Sequence, residues 1–144
     1  MIGYVASENA VVSAFINAFP EKLNEYNCKA GELDQILDYM LRTPSKFGAY
    51  VDFTGAQRRK PENFNAYIWQ YNILVNILVQ VNLDTIEDDV REVLNTLTTL
   101  AETNRTLGGT VVKFDLSYID RPQNVTASER PISWIPVTTY VWDK

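Results

Sequence analysis

The sequence predicts an α+β fold in which a four-stranded antiparallel sheet, built around a long hairpin, packs in two layers against one main helix and N-terminal helices. Three features predict it. The segment Tyr67–Val81 alternates at a period of two, Thr85–Asn104 carries an apolar stripe at helical spacing, and two further alternating segments follow. A length of 144 residues suits a single core, so we expect residues 1–144 to form one domain.

The N-terminal third predicts two helices. Ser7 is a favourable N-cap, and apolar residues at helical spacing follow it as far as Phe19, just before Pro20. A second helix is expected over Glu32–Leu41, where apolar residues recur at intervals of three and four. We expect both helices to pack beside the sheet.

The hairpin carries the strongest pattern in the chain. Its first strand is predicted over Phe47–Phe53, followed by a polar loop over Thr54–Asn65. Its second strand, Tyr67–Val81, would place every second residue, all of them aromatic or aliphatic, on one face. Such a strand spans roughly 50 Å, far more than a typical strand. We therefore expect it to bend, bulge or project beyond its sheet.

The C-terminal part predicts the main helix and two strands. The acids Glu87, Asp88 and Asp89 complement the dipole at the start of the helix, and no calcium-loop spacing surrounds them. The strands are expected over Thr110–Ile119 and Ser133–Trp142, and residues 120–131 between them are expected to form a polar loop. Pro136 within the last strand indicates an edge position or a bulge.

The composition argues against catalysis. The chain has no histidine, which removes the usual general base and the commonest metal ligand, and its one cysteine, Cys28, is expected to be structural. We therefore expect no enzyme activity, no catalytic residue, no cofactor and no metal. The first residues lack a signal-peptide pattern, and no apolar run is long enough for a membrane helix, so we expect no membrane contact.

Two sets of residues are candidates for a protein interface. The first is a basic cluster in the hairpin loop, which is either a solvated tip or a contact with a partner or DNA: Arg58, Arg59 and Lys60. The second is an amide-rich set on the other face of the long strand, which is either solvated or meets a neighbouring subunit: Gln70, Asn72, Asn76 and Gln80. A net charge of −5 argues against a broad nucleic-acid surface.

Three aromatic residues open the long strand and allow two interpretations. Tyr67, Trp69 and Tyr71 lie at every second position, as bases stacked on a sheet would require. Their pattern continues into the aliphatic residues of the same strand, which favours a buried sheet face.

The order of these segments resembles the tail terminator proteins of long-tailed bacteriophages. The resemblance runs from about Phe47 to Trp142: the hairpin, the helix Thr85–Asn104, the run Arg105–Leu116 and the closing Trp134–Val141. It implies a structural virion protein that forms a ring, usually a hexamer, at the head-proximal end of the tail tube. Such a ring ends tube polymerisation and provides the surface on which the head docks. The family has no catalytic residues to carry over.

The resemblance also implies partners. These are other copies of the chain, the tail tube protein, and a head–tail connector or neck protein, with DNA passing through the ring without specific binding. Assembly would take place in the host cytoplasm. Two alternatives remain: a neck or head-completion protein, and a small nucleic-acid-binding module that uses the aromatic and basic residues of the hairpin.

Overall fold

The computed structural model describes residues 2–60, 62, 65–82, 84–127 and 130–143. Within these ranges the elements are α1 (Gly3–Ala18), β1 (Cys28–Ala30), α2 (Leu33–Arg42), β2 (Phe47–Arg59), β3 (Ile68–Gln80), α3 (Ile86–Thr103), β4 (Lys113–Ile119), β5 (Gln123–Ala127) and β6 (Arg130–Asp143). These strands form one sheet in the order β1-β2-β3-β6-β4, and β5 also pairs with β6. The α+β class is confirmed.

The prediction of four antiparallel strands is wrong, because the described sheet has six strands and is mixed. β1 pairs in parallel with β2, and α2 forms the crossover between them. β5 lies within the stretch expected to be a polar loop and pairs antiparallel with β6. Neither strand has a clear apolar alternation, since β1 has only three residues and β5 is mostly polar. Backbone pairing forms both strands.

The hairpin is longer than predicted and regular in its second strand. β2 continues to Arg59, so the first part of the predicted loop, residues 54–59, belongs to the strand. β3 is paired along its length on both sides, with β2 and β6, and therefore does not project from the sheet as expected. The irregularity in this hairpin lies in β2, between Phe53 and Gly55. Residues 61, 63, 64, 128 and 129 of the two predicted loops lie outside the described residues.

The main core lies between one face of the sheet and the two longer helices. α1 contributes Val11 and Phe15, and α3 contributes Val93 and Leu97, all fully buried. The strand residues on this face are Ile73, Val75, Ile77 and Val79 in β3 and Ile135, Val137 and Val141 in β6. Burial of this apolar face is the main driving force for folding. The period-two pattern of β3 correctly predicted it.

The opposite face of the sheet has its own helix, so the two-layer prediction is wrong at one end of the molecule. Ile36 and Met40 of α2 pack with Leu78 and Ile132 in a second apolar cluster. At Gly48, a Cβ would lie 2.8 Å from the Met40 sulfur and 2.9 Å from Ile36 Cγ2. The missing side chain therefore lets α2 approach the sheet closely.

Pro136 lies in an interior strand, contrary to the edge position that its type suggests. β6 runs between β3 on one side and β4 and β5 on the other. The carbonyl of Pro136 accepts a hydrogen bond from the backbone N–H of Asp120, in the break between β4 and β5. In an antiparallel strand the N–H and C=O of one residue point to the same side. The missing N–H of Pro136 thus faces the interruption, where no ladder bond is lost.

Candidate protein-interaction surfaces

The hairpin end, which we define as Arg58, Arg59, Lys60 and Tyr67, is exposed and rich in cations. The Arg58 guanidinium lies 4.9 Å from the centroid of the Tyr67 ring, a cation–π distance. Tyr67 nevertheless keeps 60% of its surface exposed. Arg59 Nε donates to Oε1 of Gln57 at 3.3 Å. The hairpin end therefore presents an aromatic ring and guanidinium groups to solvent together.

The ion pairs formed among the described residues all lie away from the hairpin end. They are Lys22–Glu92, Lys29–Glu32, Arg42–Asp38 and Lys46–Asp89. Each pair involves α2, α3 or the segments next to them, so the acids there already hold several of the chain's cations. Within the described part of the chain, Arg58, Arg59 and Lys60 form no ion pair.

The four amides predicted as interface residues occupy two different environments. Gln70 and Asn76 are buried, with 6% and 3% of their surfaces exposed. Asn72 and Gln80 are half-buried. Asn76 Oδ1 accepts a hydrogen bond of 2.7 Å from the indole Nε1 of Trp134, which holds the amide in place within the chain. Contact with a neighbouring subunit stays a prediction for these residues, and Asn72 and Gln80 are the accessible ones.

Gln70 lies in a row of polar and aromatic side chains that crosses the sheet. It is the register partner of Gln57 on one side and of Trp142 on the other, and Trp142 is the partner of Lys113. Lys113 Nζ lies 4.7 Å from the centroid of the Trp142 ring. Gln70 Nε2 donates to Asn72 Oδ1 at 3.3 Å. Gln70 Oε1 and Trp142 Nε1 are buried and have no hydrogen-bond partner among the described residues.

The aromatic residues at the start of β3 do not form one exposed platform. Tyr71 is in the main core with 5% of its surface exposed, and Trp69 packs against that core. Tyr67, just before β3, is exposed. The interpretation as a buried sheet face therefore holds for Tyr71 and not for Tyr67.

The acids at the start of α3 also divide by environment. Asp89 is buried, and its Oδ2 accepts from Lys46 Nζ and Thr85 Oγ1, both at 3.0 Å. Asp89 thus ties α3 to the start of β2. Glu87 and Asp88 are exposed on the same helical turn. They face solvent in the part of the chain that the structure describes.

A shallow groove runs along the first half of α3, and we call it the α3 groove. Its volume is about 370 Å³. Three apolar side chains in it are only partly buried, and two charged side chains border them: Ile86, Val90 and Leu94, with Glu87 and Arg91. The groove places half-exposed apolar surface between one acidic and one basic side chain.

The start of α1 depends on a residue from the far end of the chain, which the sequence did not predict. Ser7 is not the N-cap; it lies inside the helix, where its hydroxyl donates to the Gly3 carbonyl at 2.8 Å. Asp143 supplies the cap instead. Its carboxylate accepts from the backbone N–H groups of Ile2 at 3.1 Å and Gly3 at 2.9 Å, and from the Tyr71 hydroxyl at 3.3 Å.

Two buried groups have raised pKa values. Burial raises the pKa of Tyr71, and the charge of Asp143 and its hydrogen bond raise it further. Burial alone raises the pKa of the Cys28 thiol to about 12. A thiol with such a pKa stays protonated near neutral pH and is a poor nucleophile.

Three further comparisons identify no function for the described residues. Among the described residues, His, Cys, Asp and Glu side chains form no group of three or more that could hold a metal ion. None of the described helices is long and apolar enough to cross a membrane. No family model matches the chain, and a search of the curated proteins finds no relative.

Proposed function

We propose that the chain is the ring-forming tail terminator subunit of a long-tailed bacteriophage. The ring would cap the tail tube, end its polymerisation and provide the docking surface for the head. In this role the protein works by contact with other chains and has no enzyme activity. Its site of action is the head-proximal end of the virion tail, after assembly in the host cytoplasm.

The observation that carries the proposal is the order of elements from the hairpin to the end of the sheet. Two paired strands of thirteen residues each, β2 and β3, lead into α3 and then into the β4–β6 part of the same sheet. The resemblance to tail terminators rests on this order. The hairpin is held in the sheet on its inner side by β6 and ends in exposed cations, which suits a rigid arm that contacts a neighbour.

Charge supports the proposal as well. A net charge of −5 suits a ring through which DNA passes without being held, because like charges repel. The tail tube protein would meet one face of the ring, and a connector or neck protein would meet the other. Such a ring needs a heterologous contact that closes by rotation.

The test is electron microscopy of particles assembled without this protein. We expect tails of excessive and variable length and heads that are not joined to them. Tails of normal length would contradict the proposal. Co-purification separates it from the neck alternative, because a terminator remains on tails made without heads, whereas a head-completion protein remains on filled heads.

A further inference from the structure

We infer that the hairpin end of one subunit docks into the α3 groove of a second copy of this chain. Tyr67 would fill the apolar part of the groove, and Arg58 and Arg59 would pair with Glu87 and Asp88. The inference rests on the proposed function, since a ring needs a contact between two different surfaces of the same chain.

The chemistry of the two surfaces is complementary. The hairpin end offers a ring that is 60% exposed, with a guanidinium 4.9 Å from its centroid. The α3 groove offers Ile86, Val90 and Leu94, each partly buried, bordered by Glu87 and Arg91, and Asp88 is exposed on the same helical turn. Tyrosine and arginine are enriched among the residues that dominate binding energy, above all where they enter well-packed pockets. The groove supplies both the apolar contact for Tyr67 and the counter-charge for its neighbours.

The two surfaces cannot meet within one subunit. The hairpin end lies just before Ile68, at the start of β3, whereas α3 begins six residues after Gln80, where β3 ends. The length of β3 separates these points by roughly 40 Å. The groove occupies only the first half of α3, on the part of the helix nearest the end of β3. The separation exceeds the reach of any side chain, so a contact between the two surfaces requires two copies of the chain.

Two lysines that lie near α3 are already engaged by acids of that helix. Lys22 and Lys46 hold Glu92 and Asp89 of α3, at 2.7 Å and 3.0 Å. Glu87 and Asp88 are left exposed on the helix, as Arg58 and Arg59 are on the hairpin. When the hairpin end of one copy binds the α3 groove of the next, an open oligomer still has a free groove at one end and a free hairpin end at the other. Copies therefore continue to add until the oligomer closes into a ring.

The test compares two charge-reversed variants, alone and mixed. The hairpin variant carries Arg58→Glu with Arg59→Glu, and the groove variant carries Glu87→Arg with Asp88→Arg. We expect each alone to associate roughly 10- to 100-fold more weakly than the unmodified chain in sedimentation velocity at low salt. An equimolar mixture should recover association, because each variant's hairpin end then meets a groove of opposite charge on the other.

A matched control reverses two exposed arginines elsewhere, Arg105→Glu with Arg121→Glu, which gives the same change in net charge as the hairpin variant. It should associate like the unmodified chain. A monomeric unmodified chain, a hairpin variant that associates normally, or a mixture that fails to recover would each overturn the inference. Because no tube protein is present, these outcomes are separate from those of the proposed function. If a ring made of the hairpin variant capped tubes normally, this inference would be overturned and the proposed function would stand.

Discussion

At the scale of single residues, Asp143 connects the two ends of the chain. Asp143 is only 2% exposed, and its carboxylate accepts from two backbone N–H groups at the start of α1 and from the Tyr71 hydroxyl. The helix start therefore depends on the last strand being in register with β3, where Asp143 is the partner of Trp69. A carboxylate at a helix start is also favoured by the helix dipole.

The Asp143→Ala substitution should lower the free energy of unfolding by about 1–3 kcal/mol, because it leaves the buried Tyr71 hydroxyl and two partly buried backbone N–H groups without this acceptor. Urea unfolding followed by circular dichroism would measure the change. Asp115→Ala is the matched control, since Asp115 lies on the neighbouring strand β4 and accepts no side-chain hydrogen bond among the described contacts. Equal urea midpoints for the two variants would contradict the role assigned to Asp143.

Burial of the Cys28 thiol makes the free energy of unfolding depend on pH in the alkaline range. Burial raises the pKa of its thiol from 9.0 to about 12 in the folded state. Between these values the unfolded chain has released the proton and the folded chain has kept it, so the unfolded state binds fewer protons. The free energy of unfolding therefore falls as pH rises through this interval, by at most about 1.4 kcal/mol per pH unit for one proton.

Cys28→Ala should remove this part of the pH dependence, although the smaller side chain lowers stability at every pH. Urea unfolding at several pH values in this interval would give the change in the free energy of unfolding per pH unit for both proteins. Titration of the tyrosines contributes equally to both, so it cancels in the comparison. The same slope in the variant and the unmodified chain would show that the thiol does not titrate in this interval.

At the scale of elements, the helices and strands that were predicted correctly are those with a periodic apolar face. β3 was predicted within one residue at each end, because one of its faces lies against the main core. α3 follows the same logic through its stripe of core residues. β1, β5 and the second half of β2 were missed, because backbone pairing rather than an apolar face forms them. α1 starts before Ser7, because its cap comes from Asp143.

For the candidate interface residues of β3, the sequence likewise predicted the face of the strand but not its surroundings. Periodicity placed Gln70, Asn72, Asn76 and Gln80 on one face of β3, and they do lie there. It gave no information on what covers that face, which depends on α2 and on Trp134 donating to Asn76. A lysine at position 76 would bury a charge and disturb folding, whereas the exposed residues of the hairpin end can be changed without that cost.

At the scale of the whole molecule, charge is distributed unevenly along the sheet. The acids Glu87 and Asp88, the exposed Arg91 and all the described ion pairs lie in or near the half that contains α2 and the first half of α3, whereas Arg58, Arg59 and Lys60 lie together at the hairpin end without an ion pair among the described residues. This arrangement does not favour attraction of a polyanion, since three cations neutralise only a few phosphates and the net charge is −5.

We therefore expect no measurable binding of a labelled single-stranded oligonucleotide in fluorescence anisotropy, even at about 50 mM salt, where electrostatic binding is strong. Tyr71 is buried, so the three alternate aromatic residues Tyr67, Trp69 and Tyr71 do not form a platform on which bases can stack. A known single-strand-binding protein would establish the sensitivity of the assay. Salt-sensitive binding that disappears with Arg58→Glu and Arg59→Glu would instead favour the nucleic-acid-binding alternative. It would also give the hairpin end a partner other than the α3 groove.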